Sequence, residues 1–369
     1  MILFNALQKS ISAGIGRYSF ELSKELYLQL KDDIKIIVRE EDVKDYRFVD
    51  SKSLIIFRNI KNSKDRNLFE QIYIPKLVSE KYKGSIIHYP DSIAPLFLNS
   101  SKIVITVHDL AFKILTGVFT NKTLIWKNIM TNFSVKKANR IISITNFTKK
   151  ELIKHYSGID KKIDLVYNGF NSLSNSNICD KNISDKILNL GTQKYILTVS
   201  TISPRKNIDT LIKAFNKMDD IQNIKLVIAG VNGWMYEYVH KLVLELNISD
   251  RVIFTGRVND DELKFLYKNA SVFVYPSIYE GFGLPPLEAM SYGIRTIVSD
   301  VECLREVLGE SVDYFPSKDY IYLSKMLNEI LKLKDQNKSY DYSCTLNKYS
   351  WRKCASDTIK VYNEVMKGV

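Results

Sequence analysis

The chain is poor in cysteine: four in 369 residues, Cys179, Cys303, Cys344 and Cys354, scattered and without a C-x2-C pair. That spacing argues against a disulfide framework and a structural zinc site and fits a reducing compartment. No apolar run approaches the roughly 20 residues needed to span a bilayer. The first ten residues, Met1 to Ser10, lack a basic leader and a long apolar core. They read as a first buried strand rather than a signal peptide. No group of His, Cys, Asp or Glu has metal-ligand spacing, and neither a P-loop nor a G-x-S-x-G nucleophile elbow occurs. A net charge of +12 invites a nucleic acid, an anionic lipid or a phosphate-rich substrate as partner. Zinc-finger, RNP, KH and helix-turn-helix signatures are missing, which disfavours the nucleic acid.

What is present is a long alternation of short β-rich apolar runs with helical patterns, the mark of βαβ units and parallel sheets. The length suggests two domains, and 45% hydrophobic content suffices for two cores. Strands are expected at Met1–Phe4, Ile34–Val38, Leu54–Phe57, Ser85–Tyr89, Ile103–Val107, Arg140–Ile144 and Ile163–Tyr167 in the first half. In the second half they are expected at Tyr195–Ser200, Lys225–Ala229, Val252–Thr255, Ser271–Tyr275 and Arg295–Val298. Tyr18, Leu22, Leu26 and Leu30 recur every four residues, a helix burying one face. Further helices fit Ile208–Lys217, Met235–Leu246, Asp260–Lys268, Pro285–Tyr292 and Ile321–Lys334, with a last one from Trp351 to about Met366. The Asn-, Ser- and Gly-rich stretch Asn168 to Asn177 reads as a linker. The fold class is therefore α/β, with two doubly wound, Rossmann-like domains over residues 1–170 and 171–350. In such sheets ligands bind beyond the carboxyl ends of the strands.

The richest stretch follows the strand at Ser271–Tyr275: Glu280-Gly-Phe-Gly-Leu-Pro-Pro-Leu-Glu288. Gly281 and Gly283 free the local dihedrals and let backbone approach a ligand. Pro285 and Pro286 suit a first helical turn, and Gly293 suits its end. The free N–H groups of that helix N-terminus favour an anion. The two carboxylates, Glu280 and Glu288, can each hold paired hydroxyls of a sugar or ribose. Other strand ends carry further candidates. Gly14 and Gly16 open the first long helix where backbone can meet phosphate. His108, in Val107-His-Asp-Leu110, can bond a hydroxyl or a developing charge, with Asp109 as a possible orienting partner. Arg205 and Lys206 sit side by side before a helix, a planar fork and a mobile point charge for phosphate. Gly230 and Gly256 allow tight turns after the next two strands, and Arg257 follows the second of these glycines.

The segment Tyr275-Pro-Ser-Ile-Tyr-Glu-Gly-Phe-Gly-Leu-Pro-Pro-Leu-Glu-Ala-Met290 resembles the E-x7-E region of retaining glycosyltransferases of family GT4, with the GT-B fold. The Arg205-Lys206 pair and the Gly14 loop extend the resemblance over most of the chain. It implies two domains facing across a cleft, the last helix, about 351–369, packing back on the N-terminal acceptor-binding domain. It implies that Glu280 contacts the donor sugar and Glu288 the ribose, with Phe282, Gly283 and Leu284 facing the sugar diphosphate. Arg205 and Lys206 would neutralise the departing diphosphate in place of a metal, so no cofactor is expected. His108 would lie near the donor sugar, Gly14 and Gly16 against the diphosphate, and Gly230 and Arg257 near the base. Ala229-Gly-Val-Asn-Gly-Trp234 resembles the mannosyltransferase-like branch. The expected reaction is hexosyl transfer with retention from a nucleotide sugar to a hydroxyl of a glycan acceptor, as in surface polysaccharide synthesis. GDP-mannose is favoured; UDP-hexose and dTDP-rhamnose stay open. A glycoside hydrolase using Glu280 and Glu288, a sugar-nucleotide epimerase and a non-catalytic sensor are the alternatives. A hydrolase has no leaving diphosphate to need the Arg-Lys pair.

The positive charge is concentrated. Lys113, Lys122, Lys127, Lys136, Lys137, Arg140, Lys149, Lys150 and Lys154 face a single acid, Glu151, and Phe112, Phe119, Trp126, Ile129 and Phe133 are interleaved. That mixture suits either a solvated helix face or contact with anionic lipid. The expected location is the cytoplasm, with peripheral contact through residues 113–154 at the inner face of the membrane.

Overall fold

The computed structural model describes residues 1–8, 14–99, 101–115, 117, 120–172, 179–219, 224–332 and 339–368. Phe119 and the linker residues 173–177 lie outside this set. The chain divides into two compact units. The first holds Met1–Ile114, Thr120–Gly169 and Tyr349–Val369, and the second contains Phe170–Lys348.

The first unit is built on seven strands: β1 (Ile2–Asn5), β2 (Ile34–Arg39), β3 (Leu54–Phe57), β4 (Ile86–Tyr89), β5 (Lys102–Val107), β6 (Arg140–Ser143) and β7 (Ile163–Leu165). All pair in parallel in the order β3-β2-β1-β4-β5-β6-β7. The near-continuous Ile and Val runs of these strands suit a sheet covered on both faces. The second unit repeats the scheme with β8 (Lys194–Val199), β9 (Ile224–Ala229), β10 (Val252–Gly256), β11 (Val272–Tyr275), β12 (Thr296–Ser299) and β13 (Asp313–Phe315). They too pair in parallel, in the order β10-β9-β8-β11-β12-β13. β13 is a strand the sequence reading missed. It is three residues long and opens on an aspartate.

In each sheet the strand order reverses once. The first three strands run outward in one direction and the fourth starts back beside the first. These reversals lie between β1 and β4 and between β8 and β11. Loops leaving the two central strands diverge there and open a crevice at the carboxyl end of the sheet.

The last helix, Trp351–Lys367, belongs to the first unit. Its buried residues Trp351, Ala355 and Tyr362 share a core with Tyr18, Leu22 and Leu26 of the helix Gly14–Leu30. Glycine is required at position 169, since a Cβ there would stand 2.2 Å from the backbone nitrogen of Trp351. Lys102 Nζ donates to the Val365 carbonyl at 2.6 Å, and Arg140 pairs with Glu364. A buried polar chain also ties this helix to the sheet. His88 on β4 meets the Tyr362 hydroxyl through Nδ1 at 2.6 Å and the Thr106 hydroxyl through Nε2 at 2.8 Å. The Tyr18 hydroxyl reaches Thr106 at 3.1 Å. Burial holds the His88 imidazole neutral, down to about 3, with nearby His108 adding to the effect. A neutral ring has one donor and one acceptor nitrogen, and both are satisfied.

Tyr362→Phe keeps the shape and strands His88 Nδ1 in the core. The variant is expected to lose about 1–3 kcal/mol of stability, read from its urea midpoint. A wild-type midpoint would contradict this pairing.

Candidate functional site

The charged groups of the second unit's site hang on β8 and β11. The chain leaves β8 through a single 3-10 turn, Pro204–Lys206, and Asn207 follows in the left-handed region at φ 54°. An asparagine tolerates this better than most residues. Here its amide donates to the Pro276 carbonyl at 3.0 Å, and its carbonyl oxygen accepts from the Thr210 hydroxyl at 2.8 Å. The chain leaves β11 through Pro276–Glu280, and the Ile278 N–H donates to the Arg205 carbonyl at 3.0 Å. The two loops are thus stitched together across the reversal point.

Three charged side chains meet there. Lys206 Nζ pairs with Glu280 Oε1, and Arg205 Nη1 reaches Glu280 Oε2 at 3.3 Å. The Tyr275 hydroxyl donates to Glu280 Oε1 at 3.0 Å and lies 2.7 Å from Lys206 Nζ. That ammonium also sits 4.9 Å from the centre of the Tyr275 ring. Lys206 is 7% exposed and Glu280 6% exposed, while Arg205 is half-buried. Burial alone would raise the Glu280 carboxyl, but Lys206, Arg205 and its hydrogen bonds outweigh burial and hold it at about 2. Burial and Glu280 push the Tyr275 hydroxyl well above its usual range. Tyr275 escaped the sequence reading as a site residue. It looks like the last apolar position of a strand, and only its place five residues before Glu280 hints at more.

Beyond Glu280, Gly283 takes φ 90°, and a Cβ there would stand 2.6 Å from Leu304 Cδ2. It starts the helix Leu284–Ser291, with Pro285 and Pro286 in the first turn. Glu288 on this helix is buried and accepts from the Tyr267 hydroxyl at 3.0 Å. Gly293, at φ 68°, follows the helix end. After β9, Gly230 packs on Ser200, where a Cβ would lie 2.0 Å from the carbonyl oxygen. Its N–H donates to the Gly256 carbonyl at 3.0 Å. Arg257 follows β10 and is exposed. Arg205, Lys206 and Glu280 therefore form one cluster, with Gly283, Leu284 and Glu288 following on the same β11 loop and its helix. Phe282, in that loop, is buried.

In the first unit, Gly14 opens the helix Gly14–Leu30 at φ 56°, and Gly16 is buried in its first turn. His108 follows β5, half-buried. Its Nε2 lies 3.0 Å from the Pro90 carbonyl, and its ring meets Tyr18 edge-on at 4.6 Å. Burial lowers its pKa, so the ring is neutral at pH 7. The expected partner is corrected: Asp109 accepts the Ala111 N–H at 3.0 Å and caps a helical turn, so the Pro90 carbonyl holds the ring instead.

A group the sequence reading passed over stands at the β1/β4 reversal. Glu70 lies in a π-helical turn, Phe69–Tyr73, between the helices Ser63–Leu68 and Ile74–Lys81. Such turns are frequent at functional sites. Glu70 accepts from Asn5 Nδ2 at 2.8 Å and faces Arg66 Nε at 3.7 Å. Burial pushes its carboxyl up to about 7, against the pull of Arg66 and Asn5. The Tyr89 hydroxyl, on the neighbouring strand end, is buried with no hydrogen-bond partner among the described residues. In sequence, Glu70 reads as one more polar position of a helix.

Two outcomes follow. Glu280→Ala leaves Lys206 buried without its counter-charge and is expected to cost about 3–5 kcal/mol, measured by denaturant unfolding; a cost under about 1 kcal/mol would contradict the pairing. For Glu70, the folded pKa of about 7 exceeds the ordinary 4.5, so the folded chain holds its proton more tightly between those values. Its contribution to stability is present at low pH and is lost as pH rises to about 7. The stability of Glu70→Gln relative to wild type should therefore rise by about 3 kcal/mol across that window. A pH-independent difference would contradict the buried acid. His88 titrates in both chains and cancels.

Comparison with known proteins agrees with this geometry. The family model Glycosyltransferase Family 4 matches residues 12–172, and Glycosyl transferases group 1 matches residues 180–344. The O-antigen chain mannosyltransferase B of Escherichia coli is 27% identical over 378 residues, 95% of each chain. The O-antigen chain mannosyltransferase RfbU of Salmonella typhimurium is 31% identical over 65% of this chain. An uncharacterized glycosyltransferase of Methanocaldococcus jannaschii, MJ1607, is 34% identical over 64% of it. These last two alignments span 63% of each relative's length. Among solved structures, sucrose-phosphate synthase of Thermosynechococcus elongatus has a TM-score of 0.72 at 20% identity, over 100% of this chain and 99% of that one. Anabaena HepE, solved with UDP and glucose, has a TM-score of 0.70 at 17% identity, over 100% and 98%. They share the two-sheet α/β fold of GT-B proteins. Matching both models over most of its length, the chain belongs to the group 1, family 4 glycosyltransferases.

Proposed function

We propose that the chain moves a hexose, mannose from GDP-mannose being favoured, to a hydroxyl of a lipid-linked glycan in surface polysaccharide synthesis, with retention at the anomeric carbon. The reading rests on Arg205 and Lys206 at the β8/β11 reversal, held by one carboxylate. Two cations and one anion leave a net charge of +1 for a departing diphosphate. Fixed charge of that kind stabilises the transition state more than the ground state and takes the part a divalent metal plays elsewhere. Glu280 holds the cations and contacts the donor sugar. Backbone N–H groups of Phe282 to Leu284 face the sugar diphosphate, and Glu288 takes the ribose hydroxyls. Gly230 and Arg257 border the base. Gly14, Gly16 and His108 are substrate contacts of the first unit. The acceptor hydroxyl attacks on the face the diphosphate leaves, and a leaving phosphate oxygen takes its proton. The mannosyltransferase relatives support the sugar, and the HepE structures, solved with UDP and glucose and with UDP-glucose, keep a UDP-hexose as the second reading. Work on a lipid-linked glycan fits peripheral attachment at the inner face of the membrane through residues 113–154. Among the described residues no helix is long and apolar enough to cross it.

Thermal unfolding with GDP-mannose, UDP-hexoses and dTDP-rhamnose tests the donor. The true donor at a hundredfold excess over its Kd adds about 2.7 kcal/mol, and GDP-mannose is expected to give it; stabilisation by a UDP-sugar alone would favour the second reading. Lys206→Ala should lower kcat by about 100- to 1000-fold without added metal. Unchanged turnover in the folded variant would refute its role.

A further inference from the structure

The buried polar chain of the first unit reaches beyond the hydrophobic core. Its members come from four elements: Tyr362 on the last helix, His88 on β4, Thr106 on β5 and Tyr18 on the helix Gly14–Leu30. All four are buried. Three hydrogen bonds join them in that order, at 2.6, 2.8 and 3.1 Å. The His88 ring is neutral and so has one N–H. Whichever nitrogen carries that proton, every member donates to the next in the same sense, because each bond takes one proton and each group has one to give. The chain is therefore cooperative, and losing one member leaves its neighbour unpaired in the core. Apolar residues of the same shape would hold the helix to the sheet as well. What the polar chain adds is a fixed direction for each side chain.

That direction is passed on to His108. The Tyr18 hydroxyl is pinned by Thr106, and the Tyr18 ring stands edge-on to the His108 imidazole, with centroids 4.6 Å apart and planes at 88°. Edge-to-face is a preferred arrangement of two rings. Trp351 of the last helix also packs on the Tyr18 ring, at 5.9 Å. His108 is held at two further points. Its Nε2 lies 3.0 Å from the Pro90 carbonyl. A carbonyl only accepts, so Nε2 carries the proton of the neutral ring. The His108 carbonyl accepts from the Thr148 hydroxyl at 3.2 Å. With Nε2–H committed, Nδ1 is an acceptor, and it makes no hydrogen bond among the described residues. The half-buried ring, at the carboxyl end of β5, thus offers a lone pair. The sequence leaves two roles open for His108, a bond to a hydroxyl or to a developing charge. A lone pair accepts a hydroxyl proton and repels phosphate oxygens on which negative charge develops, which decides between them.

We infer that Tyr18, Thr106, His88 and Tyr362 are positioning residues for His108, holding its ring so that Nδ1 accepts a hydrogen bond from a hydroxyl of the substrate sugar. The inference rests on the proposed reading of His108 as a substrate contact, but its first test needs no turnover. The full chain is isotope-labelled at histidine and the ring nitrogen resonances are read by NMR, with His108→Gln identifying the His108 pair. In the wild type Nε2 should be protonated and Nδ1 bare, a single tautomer. Tyr18→Phe keeps the ring and cuts the chain; Thr106→Val cuts it one bond further out. Both should mix the tautomers and draw the two His108 nitrogen signals toward each other. The second test is kinetic. Each cut should lower kcat/KM by about tenfold. With His108 already replaced by glutamine, Tyr18→Phe should cause no further loss, as expected of a residue that acts through another. Val365→Ala lies on the last helix, buried and outside the chain; it should lower the thermal midpoint and leave kcat/KM at wild type. His108 signals unmoved by both cuts, or the same loss from Tyr18→Phe in the His108→Gln background, would overturn the inference. Moved signals with turnover intact in His108→Gln would fault His108 as a substrate contact and leave the pinning of its ring standing.

Discussion

The second unit depends on one arrangement: a buried carboxylate, Glu280, gripping two cations that arrive from a different strand. Bringing an ammonium and a carboxylate out of water is costly, and their attraction repays it only when the geometry is tight and the remaining lone pairs are satisfied. Here the Tyr275 hydroxyl supplies the extra hydrogen bond, and the Arg205 carbonyl binds the Ile278 N–H to lock the loops. Gly283 and Asn207, both at positive φ, let the chain turn sharply enough to bring these groups to the crevice. Preorganisation is the consequence. The cations need no rearrangement to meet an anion, which is the condition under which fixed charge contributes most to a rate.

Much of the fold was legible because parallel strands buried on both faces leave uninterrupted Ile and Val runs. The runs at Ile34–Val38 and Ile103–Val107 have no polar residue except Lys35 and Thr106, and both became strands. The edge strand β13 was not legible, since Asp313-Tyr-Phe carries neither length nor periodicity. Helices between Ser63 and Lys81 were hidden by a π-helical turn that breaks the 3.6-residue period. At the site, Glu280, Glu288, Arg205 and Lys206 stood out because charge beside glycine and proline at strand ends is unusual. Tyr275 did not, because an aromatic residue in a strand is ordinary until its hydroxyl has a partner.

Both units follow one rule, with polar chemistry at the point where strand order reverses. In the second unit this is the Arg205–Lys206–Glu280 cluster; in the first it is Asn5 and Glu70, with the Tyr89 hydroxyl at the neighbouring strand end. Glu70 differs from Glu280 in kind. One carboxyl is buried beside weak compensation and rises to about 7; the other is buried against two cations and falls to about 2. The same burial thus gives opposite results according to the charge that accompanies it.

The most direct test of the central claim is a crystal structure of the chain with a nucleoside diphosphate bound. The account predicts the two phosphates at the β8/β11 reversal, contacted by Arg205 and Lys206, with the ribose at Glu288. A diphosphate bound elsewhere, out of reach of Arg205 and Lys206, would contradict it.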